Sequence, residues 1–140
     1  MTDNVNHPAH YAPRFESRQI ECIDITRHLS FDAGNAFKYV WRAGSKGDKA
    51  KALEDIDKAA FYLDDACAYE LCAKSDVAAS IFDLLHVYES ERYCVLGEIA
   101  CGDFESALQH LDKLREEVLK EIEDNERKTG EDHRVVERRS

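Results

Sequence analysis

Apolar residues recur every three or four positions through most of the chain, which is the pattern of amphipathic helices. The pattern begins at Ser17, includes Ile20 and Ile23, and predicts a first helix that ends at residue 28 or 29. A second predicted helix starts from an N-cap at residue 30 or 32 and runs to about Ala43. The glycine at position 44 is typical of a helix C-terminus, where a positive φ is tolerated.

The third predicted helix has the clearest pattern. Asp48 is a good N-cap, and the helix runs to about Leu71. Its apolar positions repeat at intervals of three and four residues, a seam suited to packing against another helix. They are Leu53, Ile56, Ala60, Leu63 and Cys67.

Two further helices are predicted in the second half of the chain. One is capped by residue 75 or 76 and continues through Ile99 until Gly102 interrupts it. The other begins near Phe104 and carries apolar residues as far as Ile122. The residues that follow are nearly all charged, so fraying or disorder is expected after about Lys128.

These elements predict an all-α protein, a compact bundle of about five helices with an extended N-terminal arm. Both prolines lie in the arm, residues 1–16. The seam of the third helix and the long last helix also suit a subunit interface, so a homo-oligomer is expected.

Composition limits the functional classes. The formal net charge is −10, and residues 1–65 contribute only −2 of it, from nine Lys and Arg against eleven Asp and Glu. So acidic a protein does not suit non-specific nucleic-acid binding. No apolar run is long enough for a membrane span, and no signal peptide is evident. Five cysteines without a C-x-x-C pair suggest free, buried thiols in the reducing cytoplasm.

A polar stripe on the second helix is the first candidate site. Asn35, Lys38, Tyr39 and Arg42 are spaced i, i+3, i+4 and i+7 and therefore share one face. An amide, an ammonium, a phenol and a guanidinium together suit an anionic ligand such as a phosphorylated small molecule. Lys46 extends the cluster across the turn. The alternative is an ordinary solvated helix face.

The third helix carries a mixed patch of charges. Asp55, Lys58 and Tyr62 are spaced so that they point away from the apolar seam. Glu54 and Asp57 are candidate ligands for Mg²⁺, which binds a few carboxylates and leaves other positions to water and phosphates. Surface ion pairs along the helix explain the same residues.

The arm offers His7, His10 and Tyr11, which suit stacking on a base or contact with phosphate. A zinc site is not supported, since no third His or Cys lies near in sequence. No standard phosphate-binding loop, dinucleotide turn or zinc-protease motif is present.

Four blocks of sequence resemble a phage protein family. They are Asn6–Tyr11, Ile20–Asp24, Asn35–Lys46 and Glu54–Leu63, and they occur in the order and spacing of the SaV-like family (DUF3310) of tailed phages and prophages. The resemblance implies a family domain at residues 1–65. Residues 66–128 are then a helical C-terminal extension packed on the same core, and residues 129–140 a disordered tail.

The resemblance also implies an activity, because the family includes a short nucleotide kinase of T7-type phages that phosphorylates deoxynucleoside monophosphates without a Walker motif. A kinase of this kind would act in the cytoplasm of the infected or lysogenic bacterial host, with Mg²⁺ as cofactor. The implied roles fall on matching positions. Phosphates would be positioned by Lys38, Arg42 and Lys46, with Asn35, Tyr39 and Lys58 beside them. Magnesium would be held by Glu54, Asp55 and Asp57, and Glu54 and Asp55 would also be catalytic residues together with Lys38 and Arg42. The site would be closed by His7, His10 and Tyr11.

Two other functions remain open. One is a non-catalytic phage protein that binds a nucleotide or a host protein, in host takeover or counter-defence, through its acidic C-terminal half. The other is an all-α nucleotide pyrophosphohydrolase. Such enzymes place an E-x-x-E pair and an E-x-x-D pair on helices, and this chain offers Glu54-x-x-Asp57 alone.

Overall fold

The computed structural model describes residues 20–43, 48–70, 75–85 and 90–139, with side chains described up to residue 130. Within these ranges the chain forms helices and no strand, so the all-α prediction is confirmed. Six helices are present: α1 (Cys22–Thr26), α2 (Phe31–Ala43), α3 (Lys49–Tyr69), α4 (Asp76–Asp83), α5 (Glu91–Cys101) and α6 (Phe104–Arg139).

Four of the helices close a ring of contacts around one core. Helix α2 packs on α3, α3 on α6, α6 on α5, and α5 returns to α2, while α1 packs on α2, α4 packs on α5, and α1 and α4 contact each other. The core draws on every helix and includes fully buried Ile25, Phe37, Leu63, Leu96 and Leu111. Helix α3 continues through residue 65, so the boundary expected there falls inside a helix whose two halves share that core.

Both ends of α2 are capped by side chains that are distant in sequence. At its N-terminus, Glu70 accepts a hydrogen bond from Ser30 Oγ at 2.5 Å and another from the backbone N–H of Asp32 at 2.9 Å. At its C-terminus, Arg92 donates to the carbonyls of Val40 and Trp41 at 3.2 and 2.9 Å. A carboxylate at a helix N-terminus and a guanidinium at its C-terminus both oppose the helix dipole. These contacts hold α2, which carries the candidate site, in a fixed position.

Three predicted helix boundaries are corrected. Helix α1 begins at Cys22, where the N–H of the N-cap residue Glu21 donates to the carboxylate of Asp24 at 2.9 Å. The predicted fourth helix is two helices, since α4 ends at Asp83 and Ser90 caps α5 by accepting from the N–H of Tyr93. Helix α6 continues to Arg139, beyond residue 128, and its Glu, Lys and Arg residues are good helix formers.

The buried face of α3 is rotated from the predicted seam. Its buried residues are Ala52, Asp55, Ile56, Ala59, Leu63 and Ala66, whereas Leu53 and Ala60 are half-buried and Cys67 is exposed. Because α3 packs against α2 on one side and α6 on another, its buried stripe is wide. The rotation buries Asp55, which the pattern placed on the exposed side.

Candidate functional site

Two tyrosines from adjacent helices stack with their rings nearly parallel on the α2–α3 surface. The rings of Tyr39 and Tyr62 have centroids 5.9 Å apart and an interplanar angle of 8°. Phe31 and Phe61 meet the Tyr62 ring edge-on, with centroids at 6.2 and 5.3 Å. We call these four rings the aromatic platform. Phe31 is 75% exposed and Phe61 65% exposed, so two apolar rings of the platform face solvent.

Three cations surround one ring of the platform. Lys38 Nζ lies 4.7 Å from the centroid of the Tyr39 ring, the Arg42 guanidinium carbon 5.1 Å and Lys58 Nζ 5.4 Å. Cations within about 6 Å of a ring centroid are attracted by the negative face of the ring. The stripe predicted from α2 is therefore a cluster of charge around Tyr39, completed by Lys58 from α3.

Arg42 is held by a buried carboxylate. Its Nη2 lies 2.8 Å from Asp55 Oδ1 and its Nε 3.3 Å from Oδ2, while the Asp55 side chain is only 1% exposed. The hydrogen bond to Asp55 raises the pKa of Arg42. Asp55 is thus the anchor of the arginine, and its two oxygens are used in that contact.

The other carboxylates of α3 also have cationic partners. Glu54 Oε1 lies 3.0 Å from Lys58 Nζ and 3.5 Å from Lys51 Nζ, and these lysines lower the pKa of Glu54, with the Lys58 hydrogen bond first. Asp57 accepts from Arg115 of α6 at 2.9 Å. The four cations Arg42, Lys51, Lys58 and Lys38 against Glu54 and Asp55 leave the site with a local charge of +2, in a chain whose total charge is −10.

The proposed magnesium ligands do not converge. Glu54 faces Lys58, Asp55 faces Arg42, and Asp57 faces Arg115. Throughout the described part of the chain, no three His, Cys, Asp or Glu side chains form a group that would hold a metal ion. These three carboxylates therefore do not fit a shared Mg²⁺ site.

The remaining predicted residues have different positions. Asn35 lies one turn before Tyr39, and its amide nitrogen donates to the Phe31 carbonyl at 2.9 Å. His7, His10, Tyr11 and Lys46 lie outside the described residues. Phe31 and Phe61 were missed by sequence reasoning. An aromatic residue on the polar face of a predicted helix indicates an exposed ring, and Phe61 is such a residue.

A cluster of carboxyl groups adjoins the platform and was also missed. Asp32 follows Phe31, is 5% exposed, and lies against Asp65 and Glu70. The pKa of Asp32 is raised from 3.8 to about 6, first by burial and then by a hydrogen bond to Asp65 and the charges of Asp65 and Glu70. The site thus has a cationic side at Lys38 and an acidic side at Asp32.

The cysteines of the described residues are free thiols, namely Cys22, Cys67, Cys94 and Cys101. The last three are exposed, which corrects the expectation that all are buried. Burial raises the pKa of Cys22 to about 11, so this thiol stays protonated at neutral pH.

The platform lies within a recognisable family segment. Residues 5–64 match the model of DUF3310, described as a protein of unknown function. Over these residues the chain is similar to the DUF3310 family. The DUF3310 segment contains α1, α2 and most of α3, and so all four rings and the three cations around Tyr39. No curated protein and no solved structure matches the chain. Within the described residues, no helix is both long and apolar enough to cross a membrane.

Proposed function

We propose that this protein binds a nucleotide on the aromatic platform. The observation that carries the proposal is the pairing of exposed Phe31 and Phe61 rings with the three cations around Tyr39. Nucleotides combine a flat apolar base with an anionic phosphate. Bases stack on aromatic side chains, and phosphates bind Lys and Arg.

Each part of the site has its own task in this proposal. Phe61 and Phe31 contact the base, since they are the exposed rings. Lys38 is the primary phosphate ligand, because it forms no ion pair with another described residue and its ammonium lies over the Tyr39 ring. Lys58 adds a second ammonium and shares it with Glu54. Arg42 contributes positive charge while Asp55 fixes its position.

The geometry favours binding over phosphoryl transfer. A kinase needs a group that accepts the proton of the attacking hydroxyl, and Glu54, Asp55 and Asp57 are all engaged with cations. A pyrophosphohydrolase would need a cluster of carboxylates to bind magnesium, and the same three carboxylates are paired with cations instead. Kinase activity is therefore tested as a separate property of the same site.

Calorimetric titration of the full chain with the four deoxynucleoside monophosphates, at low salt, tests the proposal. Lys38→Ala is expected to weaken binding about tenfold or more, the loss of one charge-assisted hydrogen bond. Lys120→Ala, which removes an exposed lysine of α6, is the matched control and should bind like the parent.

The aromatic part has its own matched pair. Phe61→Ala removes a platform ring, and Tyr69→Ala removes a ring of the same helix that is 78% exposed and outside the platform. Stacking of one base is worth about 1–3 kcal/mol, so Phe61→Ala should weaken binding about fivefold to a hundredfold and Tyr69→Ala should not. Absence of binding, or equal loss in both members of either pair, would overturn the proposal.

A transfer assay with labelled ATP and each deoxynucleoside monophosphate separates enzyme from binder. Transfer that is lost in Lys38→Ala would assign kinase activity to this site. Binding without transfer would assign a non-catalytic role.

A further inference from the structure

A concave site lies between α4, α5 and α6, beyond residue 64 and so outside the DUF3310 segment. It is an open cleft of about 430 Å³, within the range of small-molecule sites. The platform lies on α2 and α3, so the two sites do not share residues.

The walls of the cleft are apolar and partly aromatic. Phe82 is 5% exposed and its ring lies 6.5 Å from that of Tyr93, centroid to centroid. Ala79 and Gly97 complete the wall. A Cβ on Gly97 would come within 3.0 Å of Phe82 Cε1, so the glycine gives the Phe82 ring its room. This lining suits the hydrocarbon body of a ligand.

The rim of the cleft is acidic. Asp83, Glu98 and Asp103 line it together with His110, and among the described lining residues there is no Lys or Arg. Asp103 also caps α6 through the N–H of Ser106 at 3.2 Å. Arg92 lies over the Tyr93 ring and donates to the carbonyls at the end of α2. The cleft therefore has excess negative charge.

Glu98 is the most buried of these carboxylates, at 19% exposure, and lies against an imidazole. His110 Nδ1 is 2.5 Å from Glu98 Oε1 and 3.1 Å from the Ser106 carbonyl. The Nδ1–H of His110 is aligned with the Ser106 carbonyl. Within the described residues, no hydrogen-bond donor is aligned with Oε1 of Glu98. Burial raises the pKa of Glu98, the contact with His110 lowers it, and the charges of Asp103 and Glu91 raise it. A cation beside Glu98 would offset the repulsion between Glu98 and the carboxylates of Asp103 and Glu91.

We propose that the cleft binds a small organic amine, with its ammonium at Glu98 and its apolar body against Phe82 and Tyr93. Charge complementarity selects the ammonium, and the apolar wall selects a hydrocarbon or aromatic body. An anionic ligand such as a nucleotide would meet like charge here.

Titration with 2-phenylethylamine and its neutral analogue 2-phenylethanol tests the proposal on the full chain. The amine should bind about tenfold or more tightly than the alcohol, the worth of one charge-assisted contact. Glu98→Gln should abolish this ratio. Glu105→Gln, an exposed carboxylate of α6 outside the cleft, should preserve it.

A second variant and a spectroscopic map cover the case in which Glu98→Gln does not fold. Ala79→Leu adds bulk to the apolar wall and should weaken amine and alcohol alike. Amide chemical-shift changes on adding the amine should concentrate at Gly97 and Glu98. Equal affinities for the two probes, no binding at millimolar concentration, or shift changes outside the cleft would overturn the proposal. Lys38→Ala should leave amine binding unchanged, so this result does not depend on the platform.

Discussion

Arg42 and Asp55 form a two-bond ion pair across the α2–α3 interface, with N–O distances of 2.8 and 3.3 Å. The carboxylate is 1% exposed and the guanidinium 45% exposed, so the pair joins the core to the surface of the site. Removal of one partner from a buried pair leaves the other uncompensated. Arg42→Ala would therefore disturb the fold as well as the ligand, which is why Lys38 is the better probe of phosphate binding.

Asp55→Asn should lower the melting temperature by about 5 °C or more, because the amide removes the buried charge that holds Arg42. Asp57→Asn is the control, since Asp57 and Arg115 are 58% and 43% exposed and a surface pair contributes little. Thermal denaturation followed by circular dichroism measures both. Equal changes in melting temperature in the two variants would show that burial of Asp55 does not add to the stability that its ion pair contributes.

Glu54→Gln should strengthen nucleotide binding severalfold. The carboxylate accepts from Lys58 and approaches Lys51, so its removal raises the net charge of the site from +2 to +3. A magnesium or catalytic role for Glu54 predicts the opposite, a loss of binding or activity. Calorimetric titration decides between them, and Glu121→Gln, which breaks the distant pair with Lys49, is the control.

Asp32 should make stability depend on pH in an unusual direction for a carboxyl group. Its pKa is about 6 in the folded protein and 3.8 ordinarily, so folding takes up a proton in that interval. Its contribution to the free energy of unfolding is then largest below about pH 4, declines as the pH rises to about 6, and is constant above.

Asp32→Asn should therefore raise the melting temperature by several degrees at pH 7.5 and by much less at pH 4. An amide can donate a hydrogen bond to Asp65 as the protonated carboxyl does, without adding charge. Asp64→Asn, on the exposed side of α3, serves as the reference. A gain that is the same at both pH values would contradict the raised pKa.

Two glycines should respond oppositely to alanine. Gly102 ends α5 with φ of 82°, and Gly102→Ala should cost about 1–2 kcal/mol because a Cβ is strained there. Gly130 lies within α6, and a Cβ on it meets nothing within 4 Å. Gly130→Ala should be neutral or stabilise by up to about 1 kcal/mol. Urea denaturation measures both changes. A Gly102→Ala variant as stable as the parent would contradict the assigned helix end, and a destabilised Gly130→Ala variant would contradict the open surroundings of Gly130.

Local patterns predicted much of the fold. The sequence predicts a cap at Asp48 and another at residue 75 or 76; Asp48 accepts from Lys51 N–H, and Ser75 is the second cap, accepting from Ala78 N–H. Such caps join residues three apart, so the sequence displays them directly. The split between α4 and α5 was missed, although Ser90 was a visible cap, because the apolar pattern continued across it.

The candidate site was only half visible. Lys38, Tyr39 and Arg42 are on one helix, and their spacing fixes a common face. Their partners Asp55, Lys58 and Tyr62 are on α3, and the seam assigned to α3 was rotated, so Asp55 was expected at the surface. Rotation of a helix about its axis depends on all the neighbours that it contacts, and α3 contacts two.

The sequence by itself determined that this chain is helical, where most helices begin, and that a cationic stripe lies on α2. These properties depend on neighbours within one turn. The tertiary structure alone decided that Asp55 anchors Arg42, that Glu70 caps α2, and that Tyr62 stacks on Tyr39. The residues of each pair are 13 to 40 positions apart, and packing of whole helices brings them together.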